Sequence, residues 1–453
     1  MKVAIVGGGG FRVPLVYDAL LARSGALGVE QVALHDVDAG RLRRIGAVLR
    51  GIDREREASL PVLATTDLAA AVEGADFVFC AIRPGGLEGR VADERVPLAE
   101  GILGQETTGP GGIAFALRTV PAMVRIAEAV AVRAPRARFV NLTNPAGLVT
   151  EAVQPVLGER AIGVCDSSSG LCRRVARALG RRPEELWFDY FGLNHLGWLR
   201  AVRDDERDLL PDLIADEARL ATFEEGRLFG AEWLQTLGMI PNEYLAYHYF
   251  AAETVAATRA APEVRAEFLL RQQAAFYAGD GGGAGPEAAL AAWRAARRDR
   301  EGAYFAEVRA ATGGAAVGEA AAPHEADPAG GYEVEALAIV EAVSRGEPRV
   351  LIVDTANRGS LPFLDERAVV EVPALVGRTG VVPFAVGDVP RHARILVESV
   401  KEVERLTIRA AIERSRRLAI EAIALHPLVR SARAAERIFD AYRARLPDLA
   451  DMR

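Results

Sequence analysis

The sequence predicts an α/β protein in which a parallel-sheet domain is followed by an α+β domain. Over about the first 165 residues, short apolar runs alternate with segments of helical periodicity, which is the pattern of a parallel sheet. Each run ends in glycine or polar residues, and open α/β sheets bind ligands at the carboxyl ends of their strands. Beyond residue 170, helices dominate and strand-like runs are few. We therefore expect two domains, residues 1–165 and 166–453.

The individual elements follow from local patterns. Residues 2–6 are β-branched and apolar and stop at four glycines, and helical spacing follows at 13–21. The other expected strands are 31–34, 75–82, 138–142, 161–164, 350–353 and 369–372. Further helices are expected to begin near Ala146, to surround Trp293 and to span 400–425, with glycine loops at 281–283 and 330–331.

The composition is that of a globular protein, since 50% of the residues are hydrophobic and 26% are charged. A net charge of −7 argues against a nucleic-acid partner, and no apolar run approaches the roughly 20 residues that span a bilayer. Because a strand begins at the second residue, without room for a secretory leader, we expect a cytoplasmic protein with a small-molecule partner. The three cysteines, Cys80, Cys165 and Cys172, are too few for a disulfide framework, so an important one is expected to be a ligand or a reactive thiol.

A glycine-rich turn follows the first strand and precedes the first helix, which is the context of a Rossmann-type dinucleotide-binding loop. Its glycines allow backbone amides to approach a pyrophosphate, although Arg12 stands where the third glycine of the usual G-x-G-x-x-G pattern would be. Asp36 ends the second strand and can bind the ribose hydroxyls, which favours NAD over NADP. A structural turn and a helix cap are the alternative explanation. The candidate nucleotide-binding residues are Gly7, Gly9, Gly10, Phe11 and Asp36.

Cys165 and His195 are candidate metal ligands, because a thiolate and an imidazole together suit a borderline divalent cation. Each lies at a strand end or in a loop beside polar residues; taken singly, each is also explained as an ordinary core residue. Tyr244 lies in an aromatic segment, 240–249. A tyrosine acts as a general base where nearby positive charge lowers its pKa, and packing in the core is the alternative here.

Six longer motifs lie along the chain, within a similarity that covers residue 3 to about 440. They are Arg83-Pro84-Gly85-Gly86-Leu87-Glu88-Gly89-Arg90, Gly104-Gln105-Glu106-Thr107-Thr108-Gly109-Pro110-Gly111-Gly112, Asn141-Leu142-Thr143-Asn144-Pro145-Ala146-Gly147, Gly163-Val164-Cys165, Gly192-Leu193-Asn194-His195-Leu196 and Val369-Val370-Glu371-Val372-Pro373. Their sequences and their order resemble glycoside hydrolase family 4. The resemblance implies a Rossmann domain joined to a lactate/malate-dehydrogenase-like α+β domain, with NAD and Mn²⁺, or another divalent metal, as cofactors.

This resemblance implies hydrolysis of a 6-phospho-β-glucoside through redox chemistry rather than through two carboxylates. Oxidation of carbon 3 by NAD⁺ makes the carbon 2 proton removable, and a metal held by Cys165 and His195 polarises the resulting ketone. Tyr244 matches the family's base for the carbon 2 proton. Asp166 matches the position of the leaving-group acid in members that cleave α-glucosides. Elimination, addition of water and reduction of the ketone complete the hydrolysis.

The remaining matches concern recognition of the cofactor and the substrate. Asn144 matches the family's substrate-contacting asparagine. Arginine is the usual residue for binding phosphate, and Arg83, Arg90 and Arg259 are the candidates. Of these, Arg83 is assigned to the cofactor site, and Arg90 and Arg259 are assigned to the substrate.

Several alternatives stay open. Ala246 stands where family relatives often carry arginine, and Phe11-Arg12 replace small hydroxyl residues. These departures leave open a substrate with another group at carbon 6, or an unphosphorylated sugar. Asp166 leaves open a 6-phospho-α-glucosidase. A 2-hydroxy-acid dehydrogenase and a non-catalytic NAD-sensing protein would share the nucleotide domain, but neither needs the metal pair. Family relatives form dimers or tetramers, so a homo-oligomer is expected.

Overall fold

A nine-stranded sheet forms the centre of the protein. The structure is a computed structural model that describes residues 1–279, 285–302, 306–312 and 331–453. The glycine loops expected at 281–283 and at 330 lie outside the described residues.

Six parallel strands form the first part of this sheet. They are β1 (Lys2–Val6), β2 (Gln31–His35), β3 (Val62–Thr65), β4 (Phe77–Cys80), β5 (Arg138–Asn141) and β6 (Ala161–Gly163). Their order is β3-β2-β1-β4-β5-β6, the doubly wound arrangement of a Rossmann-type domain, and this confirms the predicted fold class. β1 and β4 are buried on both faces, as central strands of a parallel sheet are.

A smaller antiparallel sheet follows in the chain. It consists of β7 (Trp187–Leu193), β8 (Leu196–Asp204), β9 (Arg207–Asp208) and β10 (Ile240–Pro241). Leu193 pairs with Leu196, so β7 and β8 form a hairpin whose turn is the dipeptide Asn194-His195. The sequence patterns did not predict this hairpin.

Three strands from the second half of the chain continue the large sheet beyond β6. They are β11 (Arg349–Ala356), β12 (Val369–Gly377) and β13 (Gly380–Pro383), and all three run antiparallel to their neighbours. The strands expected at 350–353 and 369–372 lie within β11 and β12. Asp354 of β11 pairs with Gly163 of β6 on one side and with Glu371 of β12 on the other. Two carboxylates are therefore buried beside the end of β6.

Helices cover both faces of the large sheet. Along β1, Ala4 and Val6 belong to one apolar core and Val3 and Ile5 to the other, because successive side chains of a strand point to opposite faces.

Within the described ranges, no helix combines the length and the apolarity needed to cross a bilayer. The helices are α1 (Val13–Ala22), α2 (Ser24–Leu27), α3 (Ala39–Arg56), α4 (Leu68–Val72), α5 (Gly86–Ala99), α6 (Gly109–Arg133), α7 (Ala146–Leu157), α8 (Asp166–Ala178), α9 (Leu210–Ala215), α10 (Glu217–Leu220), α11 (Glu224–Phe229), α12 (Ala231–Leu237), α13 (Ala246–Tyr249), α14 (Ala251–Ala260), α15 (Arg265–Ala278), α16 (Gly285–Gly302), α17 (Ala306–Ala311), α18 (Tyr332–Arg345), α19 (Arg391–Glu413), α20 (Arg416–Leu425) and α21 (Ala432–Arg445).

The prediction of a single helix over 400–425 is wrong, because two helices, α19 and α20, share this range. α19 begins earlier and ends before Arg414, whose φ of 52° is left-handed. Ser415 then caps α20 by accepting a hydrogen bond from the backbone N–H of Leu418 at 3.3 Å. A serine that precedes an apolar run is an N-terminal helix signal, and here it outweighs the continuous helical periodicity.

α15 and α16 cover the glycine-rich turn between β1 and α1. The indole Nε1 of Trp293 donates to the carbonyl of Phe11 at 2.8 Å, and the Tyr277 hydroxyl donates to the carbonyl of Gly9 at 2.8 Å. The ring of Phe11 meets that of Phe276 edge-on, with centroids 5.5 Å apart. Residues more than 260 positions away therefore fix the backbone of this turn.

We predict that Trp293→Phe lowers the free energy of unfolding by about 1–3 kcal/mol, because the carbonyl of Phe11 loses its buried donor. Urea unfolding followed by circular dichroism measures the change. Trp187→Phe is the matched control: Trp187 is 37% exposed, so its substitution should cost about 0.5 kcal/mol or less. Equal losses in the two variants would contradict the prediction.

Candidate functional site

The glycine-rich turn is tightly packed against two strand ends. The backbone N–H groups of Gly7 and Gly8 both donate to the carbonyl of His35, at 2.8 and 2.7 Å. Gly7 has a φ of 90°, and a Cβ atom there would lie 2.1 Å from the carbonyl oxygen of Ala81. The N–H of Gly10 closes the turn by donating to the carbonyl of Gly7 at 2.9 Å. Only glycine fits the first position, so the turn has the close approach that the sequence predicts.

Asp36 and Phe11 take different places around this turn. Asp36 follows β2, and its carboxylate accepts hydrogen bonds from the N–H of Gly9 at 3.0 Å and from that of Asp38 at 3.1 Å. It lies where a ribose would meet the strand end. The side chain of Phe11 is buried against Phe276, so only the Phe11 backbone belongs to the surface of the turn.

Cys165 and His195 come from different parts of the fold. Cys165 precedes α8 directly after the end of β6. His195 lies in the turn between β7 and β8 with a φ of 62°, a conformation that few residues other than glycine adopt. Burial dominates the pKa of both groups, and the Asp166 charge acts on each: it adds to the rise in the pKa of the Cys165 thiol and partly opposes the fall in the pKa of the His195 imidazole. The Asp166 carboxylate therefore lies close to both candidate ligands.

The two groups differ in their readiness to bind a metal. Burial, with added repulsion from Glu371 and Asp166, raises the pKa of the Cys165 thiol well above its ordinary value, so a metal has to displace its proton. Burial lowers the pKa of His195 to about 4, which leaves a neutral imidazole with a lone pair at pH 7. Among the described residues, no three His, Cys, Asp or Glu side chains form a complete metal site. A cation bound by this pair would keep positions open for other ligands.

Tyr244 stacks directly on His195. The two rings are parallel within 2°, with centroids 3.6 Å apart. Tyr244 lies in a one-turn 3₁₀ helix whose cap is Asn242, and the Asn242 carboxamide oxygen accepts from the backbone N–H of Tyr244 at 3.0 Å. The preceding residues form β10, which pairs with β8. The hairpin that carries His195 therefore also positions Tyr244.

Glu106 is the centre of a cluster of arginines. Arg83 Nη2 lies 2.7 Å from Glu106 Oε2, and Arg90 Nη1 lies 2.9 Å from Glu106 Oε1. Arg90 is also paired with Glu94 at 2.8 Å. Burial alone would raise the pKa of Glu106, but Arg83, Arg90 and Arg300 together lower it to about 2. This carboxylate therefore stays ionised and holds the guanidiniums in place.

Arg12 and Arg300 extend this cluster toward the glycine-rich turn. Arg12 Nη1 lies 3.2 Å from Asp166 Oδ2, so the turn is ion-paired to the residue that follows Cys165. The guanidinium of Arg300 lies 5.9 Å from the ring centroid of Phe11 and makes no ion pair with any residue that the structure describes. Burial and the neighbouring guanidiniums, Arg12 foremost, lower the pKa of Arg300.

Two predicted substrate residues lie in different surroundings. Asn144 follows β5 and precedes Pro145 in a cis peptide, at the same sheet edge as Cys165. Arg259 is exposed on α14 beside Gly101, whereas the ion pairs of Glu106 are with Arg83 and Arg90.

Sequence reasoning missed several residues of this site. Arg12 was noted only as a departure from the glycine pattern, and Arg300 was one of many arginines on a helix. The motif 104–112 contains Gln105, Glu106 and Thr107. The amino-acid sequence alone does not show that Thr107 contacts His195 or that Glu106 pairs with the arginines.

Fold and site together define a class: a Rossmann-type protein with a cysteine, a histidine and a tyrosine at the strand ends. The sequence profile of the Family 4 glycosyl hydrolase matches residues 2–181, and that of the Family 4 glycosyl hydrolase C-terminal domain matches residues 190–429. The chain therefore belongs to glycoside hydrolase family 4 and is a glycosidase.

Similar proteins include enzymes named for both anomers. A probable 6-phospho-beta-glucosidase from Bacillus subtilis is 28% identical over 99% of this chain and 97% of its own. A 6-phospho-alpha-glucosidase from Leptotrichia buccalis is 30% identical over 97% of this chain and 96% of its own. The 6-phospho-beta glucosidase from Thermotoga maritima, solved with manganese, NAD⁺ and glucose-6-phosphate, has a TM-score of 0.80 at 26% identity over 98% of both chains. A malate dehydrogenase from Plasmodium falciparum, with a TM-score of 0.52 at 12% identity over 91% of this chain and 99% of its own, shares the fold alone.

We predict that Glu106→Gln lowers the free energy of unfolding by about 3 kcal/mol at pH 7, because buried Arg90 loses one of its carboxylate partners. Since the folded pKa of Glu106 lies below the ordinary 4.5, its stabilisation is complete above pH 4.5 and is lost as the pH falls toward 2. The difference between wild type and variant should therefore shrink between pH 7 and pH 3.

Urea unfolding at both pH values measures this difference. Glu100→Gln is the control, because Glu100 pairs with the exposed Arg437, and solvent screening should make its loss much smaller than that of Glu106→Gln. A loss in Glu106→Gln that does not change with pH would show that the Glu106 charge is not the cause.

Proposed function

We propose that this glycosidase hydrolyses 6-phospho-β-glucosides with NAD⁺ and Mn²⁺ as cofactors. The observation that carries the proposal is the contact of Tyr244 with His195, whose ring centroids are 3.6 Å apart. A phenol beside a metal ligand suits removal of a proton α to a carbonyl group. The T. maritima relative, whose structure contains manganese, NAD⁺ and glucose-6-phosphate, supports the cofactors and a phosphorylated sugar.

The residues at the strand ends fit both cofactors. Cys165 and His195 would hold the metal, since a thiolate and a neutral imidazole are suitable ligands. We assign the nucleotide to residues 1–165 and the metal and substrate to residues 166–453, except that Cys165 contributes to the metal site, and Arg90 and Asn144 to the substrate site, from the first part. When bound, NAD⁺ accepts hydride from carbon 3 and the metal supplies Lewis-acid catalysis. The nucleotide-binding residues in this proposal are Gly7, Gly9, Gly10, Phe11, Asp36 and Arg83.

In this proposal Tyr244 accepts the carbon 2 proton and Asp166 faces the leaving oxygen. The contacts with Asn242 and His195 allow the Tyr244 phenol little freedom, which suits a general base. Tyr244 is also among the groups that raise the pKa of Arg90, so a cation lies within electrostatic reach of the phenol. That cation would favour the negative charge of a proton-accepting phenolate.

Arg300, Arg12 and Arg90 would bind the 6-phosphate, with Arg259 as a further candidate. Arg300 is held among other cations without an ion-pair partner in the described part of the chain, which is costly unless an anion binds there. A phosphate dianion would relieve this repulsion and suits the forked guanidinium geometry. Because Arg12 lies at the glycine-rich turn, phosphate and nucleotide would bind on adjacent surfaces.

The β anomer is supported by the ion pair of Asp166 with Arg12. A carboxylate that is paired with a guanidinium has to leave that partner before it can turn toward a leaving oxygen, and the hydrolysis of β-glucosides by elimination depends less on such an acid. A 6-phospho-α-glucosidase is the second candidate, supported by the aspartate at position 166 and by the L. buccalis relative. A substrate panel that pairs both anomers of nitrophenyl glucoside 6-phosphate, assayed with NAD⁺ and Mn²⁺, separates the two.

We expect that hydrolysis in deuterated water places deuterium at carbon 2 of the released sugar, because elimination removes that proton to Tyr244. Tyr244→Phe should lower kcat about 10²- to 10⁴-fold and slow deuterium incorporation in parallel. Mass spectrometry and NMR of the product measure both effects. Tyr247→Phe is the matched control, since its ring is 6.0 Å from that of Tyr244 and has no assigned role. Retention of the original hydrogen by the wild-type enzyme would exclude the elimination.

Arg300→Gln should raise the KM for a 6-phosphorylated substrate about 10-fold or more, because a charge-assisted hydrogen bond to a phosphate is worth about 1.5–3 kcal/mol. Arg298→Gln is the control and should leave KM unchanged, because Arg298 is exposed on the same helix. Both KM values come from initial rates. If Arg300→Gln changed nothing while the enzyme hydrolysed unphosphorylated glucosides equally well, the phosphate assignment would be wrong.

A further inference from the structure

The loop before α6 brings two polar side chains to the back of the His195 ring. The Thr107 hydroxyl lies 3.0 Å from His195 Nδ1 and 3.0 Å from the side-chain oxygen of Gln105. Gln105 is 9% exposed and His195 is 5% exposed, so this chain of contacts runs through the interior. Neither Gln105 nor Thr107 has a role in the function proposed above.

The direction of these hydrogen bonds follows from the Gln105 amide. Its oxygen accepts from the backbone N–H of Thr107 at 2.6 Å and from that of Thr108 at 2.7 Å, which fixes the oxygen rather than the nitrogen at this end of the amide. The Thr107 hydroxyl donates its single proton to the same oxygen and keeps a lone pair toward the imidazole. A hydrogen bond to that lone pair requires the ring proton of His195 to be on Nδ1.

The loop is held rigidly by the first turn of α6. A Cβ atom on Gly111 would lie 2.1 Å from the carbonyl oxygen of Gln105, and one on Gly112 would lie 2.5 Å from that of Thr107. Only glycine permits this contact, so the loop and the helix form one unit. The two side chains are thus presented to His195 by fixed backbone rather than by a mobile segment.

We infer that Gln105, acting through the Thr107 hydroxyl, is a positioning device that holds His195 in the tautomer with Nδ1 protonated and Nε2 available to a metal. A neutral imidazole has two tautomers, and only this one presents an Nε2 lone pair. The tautomer itself does not require a metal to be present. Its use in metal binding rests on the function proposed above.

The direct test is NMR of the metal-free full-length enzyme labelled with ¹⁵N-histidine. Long-range ¹H–¹⁵N correlations distinguish the two tautomers, and His195→Gln identifies the His195 signals among the six histidines. We expect the Nδ1–H form in the wild type. Thr107→Val should move His195 to the Nε2–H form or to a mixture, and Thr107→Ser should restore the wild-type pattern. Thr108→Val, which removes the neighbouring hydroxyl, should leave it unchanged.

Two results would overturn the inference. One is an Nε2–H form in the wild-type enzyme, which needs no variant to observe. The other is an unchanged Nδ1–H form in Thr107→Val whose other histidine signals show a native fold.

Mn²⁺ titration followed by electron paramagnetic resonance separates this inference from the proposed function. Loss of a partner that orients a metal ligand weakens binding about 10- to 100-fold, so Thr107→Val should show that loss and Thr107→Ser should not. If the wild type bound no Mn²⁺, the proposed function would fail while the tautomer result would stand. If Thr107→Val bound Mn²⁺ as tightly as the wild type, the positioning role would fail while the proposed function would stand.

Discussion

The site depends on how the turn between β7 and β8 is anchored. The Asn194 carboxamide oxygen accepts from the backbone N–H of Ala146 at 2.9 Å, which ties the turn to the first residue of α7. His195 is tied to Thr107 on its other side. These contacts join the small sheet to the edge of the large one, and they allow His195 to keep a left-handed backbone conformation that is unfavourable for most residues. The Tyr244 ring stacks on His195, so the anchored turn positions both side chains.

Charge compensation is the second constraint. Buried guanidiniums are costly without partners, and Glu106 supplies a partner to both Arg83 and Arg90. Burial and repulsion from Arg12, Arg265 and Arg90 lower the pKa of Arg300, and Glu106 opposes this only in part. Within the described ranges, carboxylates pair with Arg83, Arg90 and Arg12, and Arg300 has no ion-pair partner. In the proposed function this cluster would be preorganised for a phosphate, because the arginines are already brought together when the chain folds.

Local features of this fold could be predicted from the sequence, and distant contacts could not. β1, the glycine-rich turn and α1 were predictable because strand and helix periodicities and glycine backbone freedom act within a few residues. The place of Cys165 at a strand end made it a candidate, and the family resemblance then predicted it as a metal ligand. In contrast, Arg12 and Asp166 are 154 residues apart, and no local pattern indicates that they form an ion pair. The antiparallel extension of the sheet by β11 to β13 could not be predicted either, because periodicity identifies a strand but not the strand with which it pairs.

Arg12, which stands where the usual pattern has a third glycine, forms an ion pair with Asp166. A third glycine would let the turn approach a nucleotide freely, whereas Arg12 extends from the turn to the first residue of α8, next to Cys165. The carbonyls of Gly9 and Phe11 on the same turn are held by Tyr277 and Trp293. Any shift of the turn therefore strains its contacts with α8, α15 and α16 together. In the proposed function, nucleotide binding at this turn would be coupled to the position of the Asp166 carboxylate through the ion pair with Arg12, which a glycine at position 12 could not form.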